Sequence, residues 1–319
     1  MIQHPRHQNK KLPLSIAVLL TLLAPTIFGQ GWQVVNFPKI DNLTGVVFSS
    51  PDTGYVVTSN GEIARTVDAG KNWGGVQLAK VALEDVFFVA PSSLYVCGAK
   101  GKMFKSDNGG RDWINISYYD TTVTFVSIRE LGFQVLVATG LTSDSTRRNV
   151  GVLARSSTDG SGWALQAVEG LAFGELYSNG NSARFCSWGK MFTTTDAGSH
   201  WEGSKLPDGK PSRMLDMKGN TGIMVGNFGQ VAYSDDRGKT WHQVTIPKEE
   251  SHFTSALLLN TNEGYIAGAD SKMYHTTDGG KTWNRETLPI TCNVHGLAKA
   301  GNRLWAIGNK GSMRYKSLK

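Results

Sequence analysis

Three cysteines, Cys97, Cys186 and Cys292, are too few to frame a chain of 319 residues, so no complete disulfide set holds this fold together. Cys97 and Cys186 stand at similar points of two non-adjacent repeats, a poor geometry for a bridge. All three are expected as buried small apolar residues, with Cys292 a candidate for a free, partly exposed thiol. Charge is scarce too, at 18% of residues. No basic cluster of the kind that grips nucleic acid occurs, so no nucleic-acid partner is expected. There is no G-x-S-x-G, no phosphate-binding glycine loop and no H-E-x-x-H, and neither a cofactor nor a metal is expected. The apolar run near the N-terminus is too short for a comfortable membrane span.

Glycine and tryptophan are plentiful, with 37 and nine residues. That favours many short strands joined by tight turns over long helices. A β-rich fold can run past 200 residues as one domain.

The first residues read as a secretory signal peptide. Arg6, Lys10 and Lys11 form a basic start without any acid, and Leu14 to Phe28 is mostly apolar, with Pro25 near its end. Gly29-Gln30 is a plausible cleavage point, and no cysteine lies near it to carry a lipid. Residues 1–29 are thus expected to be removed and residues 30–319 exported, to a periplasm or beyond. The net charge then falls from +7 to about +4.

Aligning the chain on tryptophan exposes a repeat. Thr66 to Trp73, Thr194 to Trp201, Ser234 to Trp241 and Thr276 to Trp283 each read S/T-x-D-x-G-x-x-W. Ser106 to Trp113 keeps the frame with Asn108 in the Asp position. Ser156 to Trp163 is degenerate, with Thr158 there and Asp159 one residue late. The box carboxylates, Asp68, Asp196, Asp236 and Asp278, are expected to accept backbone N–H groups of their own turn. The Gly supplies a positive φ, the Ser or Thr bonds locally, and the Trp covers the turn. These are structural parts, not catalytic ones.

Two short strands around a turn precede each box, as in Gly54 to Val57 and Glu62 to Arg65, and an apolar strand such as Leu43 to Phe48 precedes those. Box tryptophans at 73, 113, 163, 201, 241 and 283 give a period of about 40 residues, the length of a four-stranded propeller blade. The C-terminal segment through Met313 lacks a fourth strand. Trp32-Gln33-Val34-Val35, which looks like the segment after Trp283, should supply it and close the ring. The expectation is an all-β, seven-bladed propeller.

Links between blades and turns between second and third strands should converge on one face, the better candidate for binding. Tyr118, Tyr119, Trp188, Arg213, Phe228, His252 and His295 are expected there, as aromatic and Arg side chains commonly anchor interfaces. The spacing from Trp113 to Trp163 carries a surplus, placed in a polar loop from Gly140 to Asn149 with Arg147 and Arg148 at its tip. Those two could grip a carboxylate or phosphate.

The boxes resemble the Asp-box, or BNR, repeat of sialidases. Sialidases also need an F-R-I-P segment, which is missing, and no carboxylate pair for glycoside hydrolysis can be placed together from the sequence. Gly226 to Trp241 and Gly268 to Trp283 are similar to the G-x-x-G-x-I-x-x-T-x-D-G-G-K-T-W repeats of the photosystem II stability/assembly factor family, and the likeness spans residues 32–317. It implies a non-enzymatic exported propeller that binds a membrane-protein assembly intermediate through a patch containing Arg. Arg65, Arg155, Arg184 and Arg314 lie on or beside third strands and are possible members. A glycan-binding or glycan-cleaving propeller is the alternative.

Overall fold

A computed structural model describes residues 31–318, apart from 91, 144–147, 169–173, 188, 207–208, 210–211 and 290, with the backbone alone of 143, 148 and 149. The expected signal peptide, Arg147 and Trp188 therefore lie outside the described residues, as does the side chain of Arg148.

The described residues form seven four-stranded antiparallel sheets. Six are sequential: blade 1 (residues 43–77), blade 2 (83–115), blade 3 (123–168), blade 4 (177–205), blade 5 (212–244) and blade 6 (253–285). Blade 7 joins Val294–Ala300, Arg303–Gly308 and Met313–Ser317 to the N-terminal Gln33–Val34. Gln33 pairs with Tyr315 and Val34 with Arg314, and Val35 N donates to Met313 O at 3.1 Å. The ring closes as the sequence predicts.

Burial follows strand position within a blade. In blade 1 the innermost strand, Leu43–Phe48, is fully buried only at alternate positions at its start. The second, Gly54–Thr58, is wholly buried because neighbouring blades cover both its faces, and the outermost, Gly74–Gln77, is exposed. The core is accordingly divided into seven clusters, one at each junction between blades. Trp32, Trp73, Trp113, Trp163, Trp201, Trp241 and Trp283 each occupy a different one. The tryptophan that ends a repeat thus seals its blade against the preceding blade.

The box turns work as their residue types dictate. Asp68 Oδ1 accepts from Asn72 N at 2.9 Å and from Thr66 Oγ1 at 2.8 Å, while Gly70 N donates to Thr66 Oγ1 at 3.0 Å. The same bonds recur at Asp196, Asp236 and Asp278, and Asn108 accepts the Asp112 N–H in their place. The backbone and side chain of Asn72 hold the Asp68 carboxyl down at about 2. His200 and Thr240 likewise lower Asp196 and Asp236. Gly70 has φ 80°, and a Cβ there would stand 2.4 Å from the Trp305 ring of blade 7. Only glycine permits both the turn and this approach. In the degenerate third box Ser156 still binds Gly160 N, but Asp159 turns to blade 2, accepting from Tyr95 Oη at 2.7 Å and pairing with Lys105.

The described part of the surplus in blade 3 is strand. Gly140–Ser143 ends one strand and Arg148–Asn149 begins the next, with Thr142 paired to Val150 and Ser143 to Arg148. Polar composition suggested a loop throughout, but Thr139, Thr142 and Val150 suit a ladder, and the described residues 140–143 and 148–149 lengthen two strands, with 144–147 outside the described residues. Replacing Asp278 with Ala is expected to lower the melting temperature by roughly a few degrees, read by circular dichroism, since it removes the acceptor for Thr282 N and Oγ1.

Candidate functional site

Six of the seven innermost strands carry an irregularity near their start, and Tyr177–Asn179 of blade 4 pairs without one. The pairing skips one residue between Leu43 and Gly45, Leu83 and Asp85, Ser212 and Met214, Phe253 and Ser255, and Val294 and Gly296. In blade 3 it skips Val126. A bulge leaves one residue outside the ladder and re-aims its side chain. Here the bulged residues Thr44, Glu84, Val126, Arg213, Thr254 and His295 line one cavity of about 240 Å³ in the central channel. Thr124 joins them, and blade 4 adds Glu175 from just before its first strand. Every blade contributes.

A second cavity, of about 420 Å³, opens beside it and shares Arg213, Thr254 and His295. His252 and Asn227 stand on its wall, and the Phe228 ring meets the His252 ring edge-on at 5.2 Å. His295 is held by Asn309. Three residues expected on this face from sequence, Arg213, His252 and His295, are therefore brought together. Phe228 and Tyr119 stand exposed, Tyr119 at 84%. Ile40, in the link entering blade 1, is as exposed and was not anticipated.

Tyr118 corrects the expectation. It is buried, packs edge-on to Phe125 at 6.3 Å, and belongs to the core between blades 2 and 3. Of two consecutive tyrosines, one fills the junction and the other faces out. Two of the four Arg of the possible patch are tied to the scaffold. Arg155 Nε donates to Ala197 O at 2.9 Å and Arg184 to Arg237 O, so each fastens the box turn of the next blade. Arg314 donates to Met313 O, and the Arg65 guanidinium lies 6.0 Å from the Tyr55 ring.

Deeper charge links three blades. Arg129 bonds Asp85 Oδ2 at 2.5 Å and Glu175 Oε1 at 2.9 Å, and its guanidinium covers the Phe87 ring at 4.8 Å. Asp85 also accepts from Ser127 and from Ile128 N. Asp216 is fixed by Leu258 N at 2.7 Å. Glu175 keeps 35% of its side chain open, but onto the narrow channel rather than bulk water. Burial therefore raises its carboxyl to about 7, against the pull of Arg129 and with help from Asp85 and Asp216. Burial, then Asp85, raises Glu84, and burial lowers Arg213. Sequence reasoning missed Glu84 and Glu175 as a pair. The available signal was their shared place in the repeat, one residue into or just before the innermost strand.

The raised channel acids fix a sign. Glu175 binds a proton more tightly folded than unfolded, so its contribution to stability declines as pH climbs from its unfolded value near 4.5 to about 7. The box aspartates act in the opposite sense, and their contribution is lost as pH falls below about 3.8. The melting temperature is expected to fall between pH 5 and pH 7.5, roughly the window spanned by that shift, and Glu175→Gln to flatten the fall.

Among the described residues no group of three or more His, Cys, Asp or Glu is placed to hold a metal ion, and no helix is long and apolar enough to cross a membrane. All three cysteines are free, Cys97 and Cys186 buried and Cys292 half-buried.

A family model described as photosynthesis system II assembly factor YCF48 matches residues 194–299. No curated protein matches the chain in sequence. Among solved structures, YCF48 bound to a D1 peptide superposes with a TM-score of 0.72 at 20% identity, over 90% of this chain and 97% of that one. YCF48 from Cyanidioschyzon merolae gives 0.70 at 17%, over 90% and 98%. A streptogramin B lyase gives 0.70 at 12%, over 90% and 97%, so the same ring also carries an enzyme. Identities this low establish the shared fold alone. The chain is a seven-bladed Asp-box propeller similar to the photosystem II assembly factors, in sequence over residues 194–299 and in fold around the whole ring.

Proposed function

We propose that this protein is a non-enzymatic, exported scaffold that docks a membrane-protein assembly intermediate on its channel face. One observation carries the reading. The repeated box residues are committed to holding turns and blade junctions, whereas the face of the links and second-to-third-strand turns exposes Tyr119 and sets Phe228 beside a polar mouth. Exposed aromatic rings next to Arg and His are the usual anchors of a protein interface. The similar YCF48 propeller binds a D1 peptide, which supports a membrane-protein segment as the partner. The basic and then apolar residues 1–29 support export.

A glycan-cleaving reading draws on Glu84 and Glu175 facing one cavity, with Glu175 near neutrality as a general acid would be. The cavity size disfavours it. About 240 Å³ is below the roughly 300–1,000 Å³ of ordinary ligand sites, and Glu175 is tied to Arg129.

The test is a photo-crosslinking residue placed at position 228 in the native cell. Recovery of a membrane protein from the envelope is the expected result. Failure to trap any protein, together with glycan turnover by the purified chain, would reverse the assignment.

A further inference from the structure

The junctions between blades follow a rule that one of them breaks. At one register position of the second strand, six blades carry Tyr55, Tyr95, Val137, Ile223, Tyr265 and Trp305, all buried. A Cβ at Gly70 would meet Trp305, one at Gly110 Tyr55, one at Gly198 Val137 and one at Gly280 Ile223, so this side chain covers the box turn of the next blade. Blade 4 places Arg184 there, paired with Thr193. Its Nη1 donates to Arg237 O in the box turn of blade 5. The phenol of Tyr55 makes the corresponding bond in blade 1, to Gly109 O at 3.0 Å. The fold therefore asks for a donor at this place, not for a charge. Departures from a local structural rule in an otherwise regular sequence are where function is expected.

A second departure stands beside the first. The residue after the box Asp or Asn is small in four boxes, Ala69, Gly109, Ala197 and Gly279, each at positive φ. Asp159 takes that place in the degenerate third box. Blade 5 has Arg237, exposed, at φ 65°, its Nε donating to Asn220 Oδ1 at 2.8 Å. Arg184 and Arg237 line one cavity of about 210 Å³ between blades 4 and 5, with Tyr177, Asn179 and Ser182 on its wall. Each Arg uses one nitrogen on a neutral oxygen, and neither pairs with a carboxylate among the described residues. Asp235 of the same box turn pairs with Lys281 instead, and Asp216 accepts from Met217 N and Leu258 N. Two positive charges therefore remain unanswered on the wall of one cavity.

Charge and size select the ligand. Guanidinium groups bind carboxylate and phosphate through paired hydrogen bonds. A carboxylate would match one Arg and leave the other, whereas a tetrahedral dianion has oxygens and charge for both. A cavity of about 210 Å³ is below the roughly 300–1,000 Å³ of ordinary ligand sites, so it holds the anionic group and leaves anything attached to it outside. We propose that the junction of blades 4 and 5 binds a phosphate group, free or as a monoester, between Arg184 and Arg237, with Asn179 and Ser182 beside it. The site lies on the face of the box turns, apart from the docking face, and needs no protein partner.

Titration calorimetry on the whole purified protein tests this directly, at pH 8, where a phosphate group carries close to two charges. Inorganic phosphate, glycerol 3-phosphate and acetate are the probes. Phosphate is expected to bind about tenfold more tightly than acetate or better, as the loss of one charge-assisted pair demands. Glycerol 3-phosphate that matches phosphate supports the proposal and assigns the site to an attached group; phosphate binding without it supports the proposal for the free anion. Arg184→Tyr installs the residue that blades 1, 2 and 6 already use, and Arg237→Ala the one that blades 1 and 4 use. Both variants should keep the melting temperature of the parent while binding phosphate about tenfold more weakly or worse. Arg237→Ala changes only an exposed side chain, so its folding is not at risk. Absence of binding by both phosphate compounds at millimolar concentration would overturn the proposal. So would acetate that binds as well as phosphate, or unchanged affinity in Arg237→Ala.

Discussion

Deleting residues 31–37 is expected to lower the melting temperature by roughly 10 °C or more, the largest stability effect of any change considered for this protein. The segment supplies the fourth strand of blade 7 and the tryptophan of one junction. Trp32 is nearly buried among Tyr265, Leu288 and Leu304, donates to Glu286 Oε1 at 3.2 Å, and lies under Lys316 at 5.7 Å. Val35 and Phe37 extend the closure to the next junction, where Phe37 meets Trp73 at 5.7 Å. Truncating one buried Trp costs about 3–5 kcal/mol, and the deletion also strips the ladder from Met313–Ser317. Met313–Ser317 would then present an unpaired edge, so aggregation should accompany the lower melting point. Trp32→Ala alone should reproduce about half of the fall. A deletion that melts within two or so degrees of the parent would show that the ring does not depend on its closing strand.

The second large effect concerns binding. Tyr119→Ala and Phe228→Ala should each weaken retention of the partner trapped at the channel face by about tenfold or more, since exposed aromatic anchors commonly carry 2 kcal/mol or so. Neither should change the melting temperature, because both rings are exposed, Phe228 at 61%. Phe133 provides the control. It is equally prominent, at 84% exposed, but stands on the turn after the innermost strand of blade 3, on the face of the box turns. Phe133→Ala should leave retention unchanged. Equal losses from all three substitutions would mean that apolar exposure, and not the channel face, governs binding.

Much of the ring was legible in the sequence because its governing residues are chemically alike. Asp68, Asp196, Asp236 and Asp278 recur at one spacing from a tryptophan, and their turn demands that set of residues. Trp32 was placed in the last blade because it begins a strand resembling the one after Trp283. The channel ring was hidden for the opposite reason. Thr44, Glu84, Arg213 and His295 share a position but no chemistry, so self-similarity passes over them. Their common direction comes from a bulge, a property of register that appears only when the partner strand is known. Arg213, His252 and His295 could be assigned to a face from the order of strands. The meeting of Glu84 with Glu175 could not, since blade 4 departs from the pattern and delivers Glu175 from outside its first strand. Tyr118 and Tyr119 show a finer limit, because nothing in the seven-residue link 116–122 says which of two adjacent rings turns inward.

Hydrogen exchange of the partner-bound protein against the free protein tests the division of labour between the two faces most directly. Protection is predicted in the links and turns of the channel face, around Tyr119, Phe228 and His252, with the box turns around Asp68, Asp196 and Asp236 exchanging as before. Protection concentrated on the box turns, with the channel face unaltered, would contradict it.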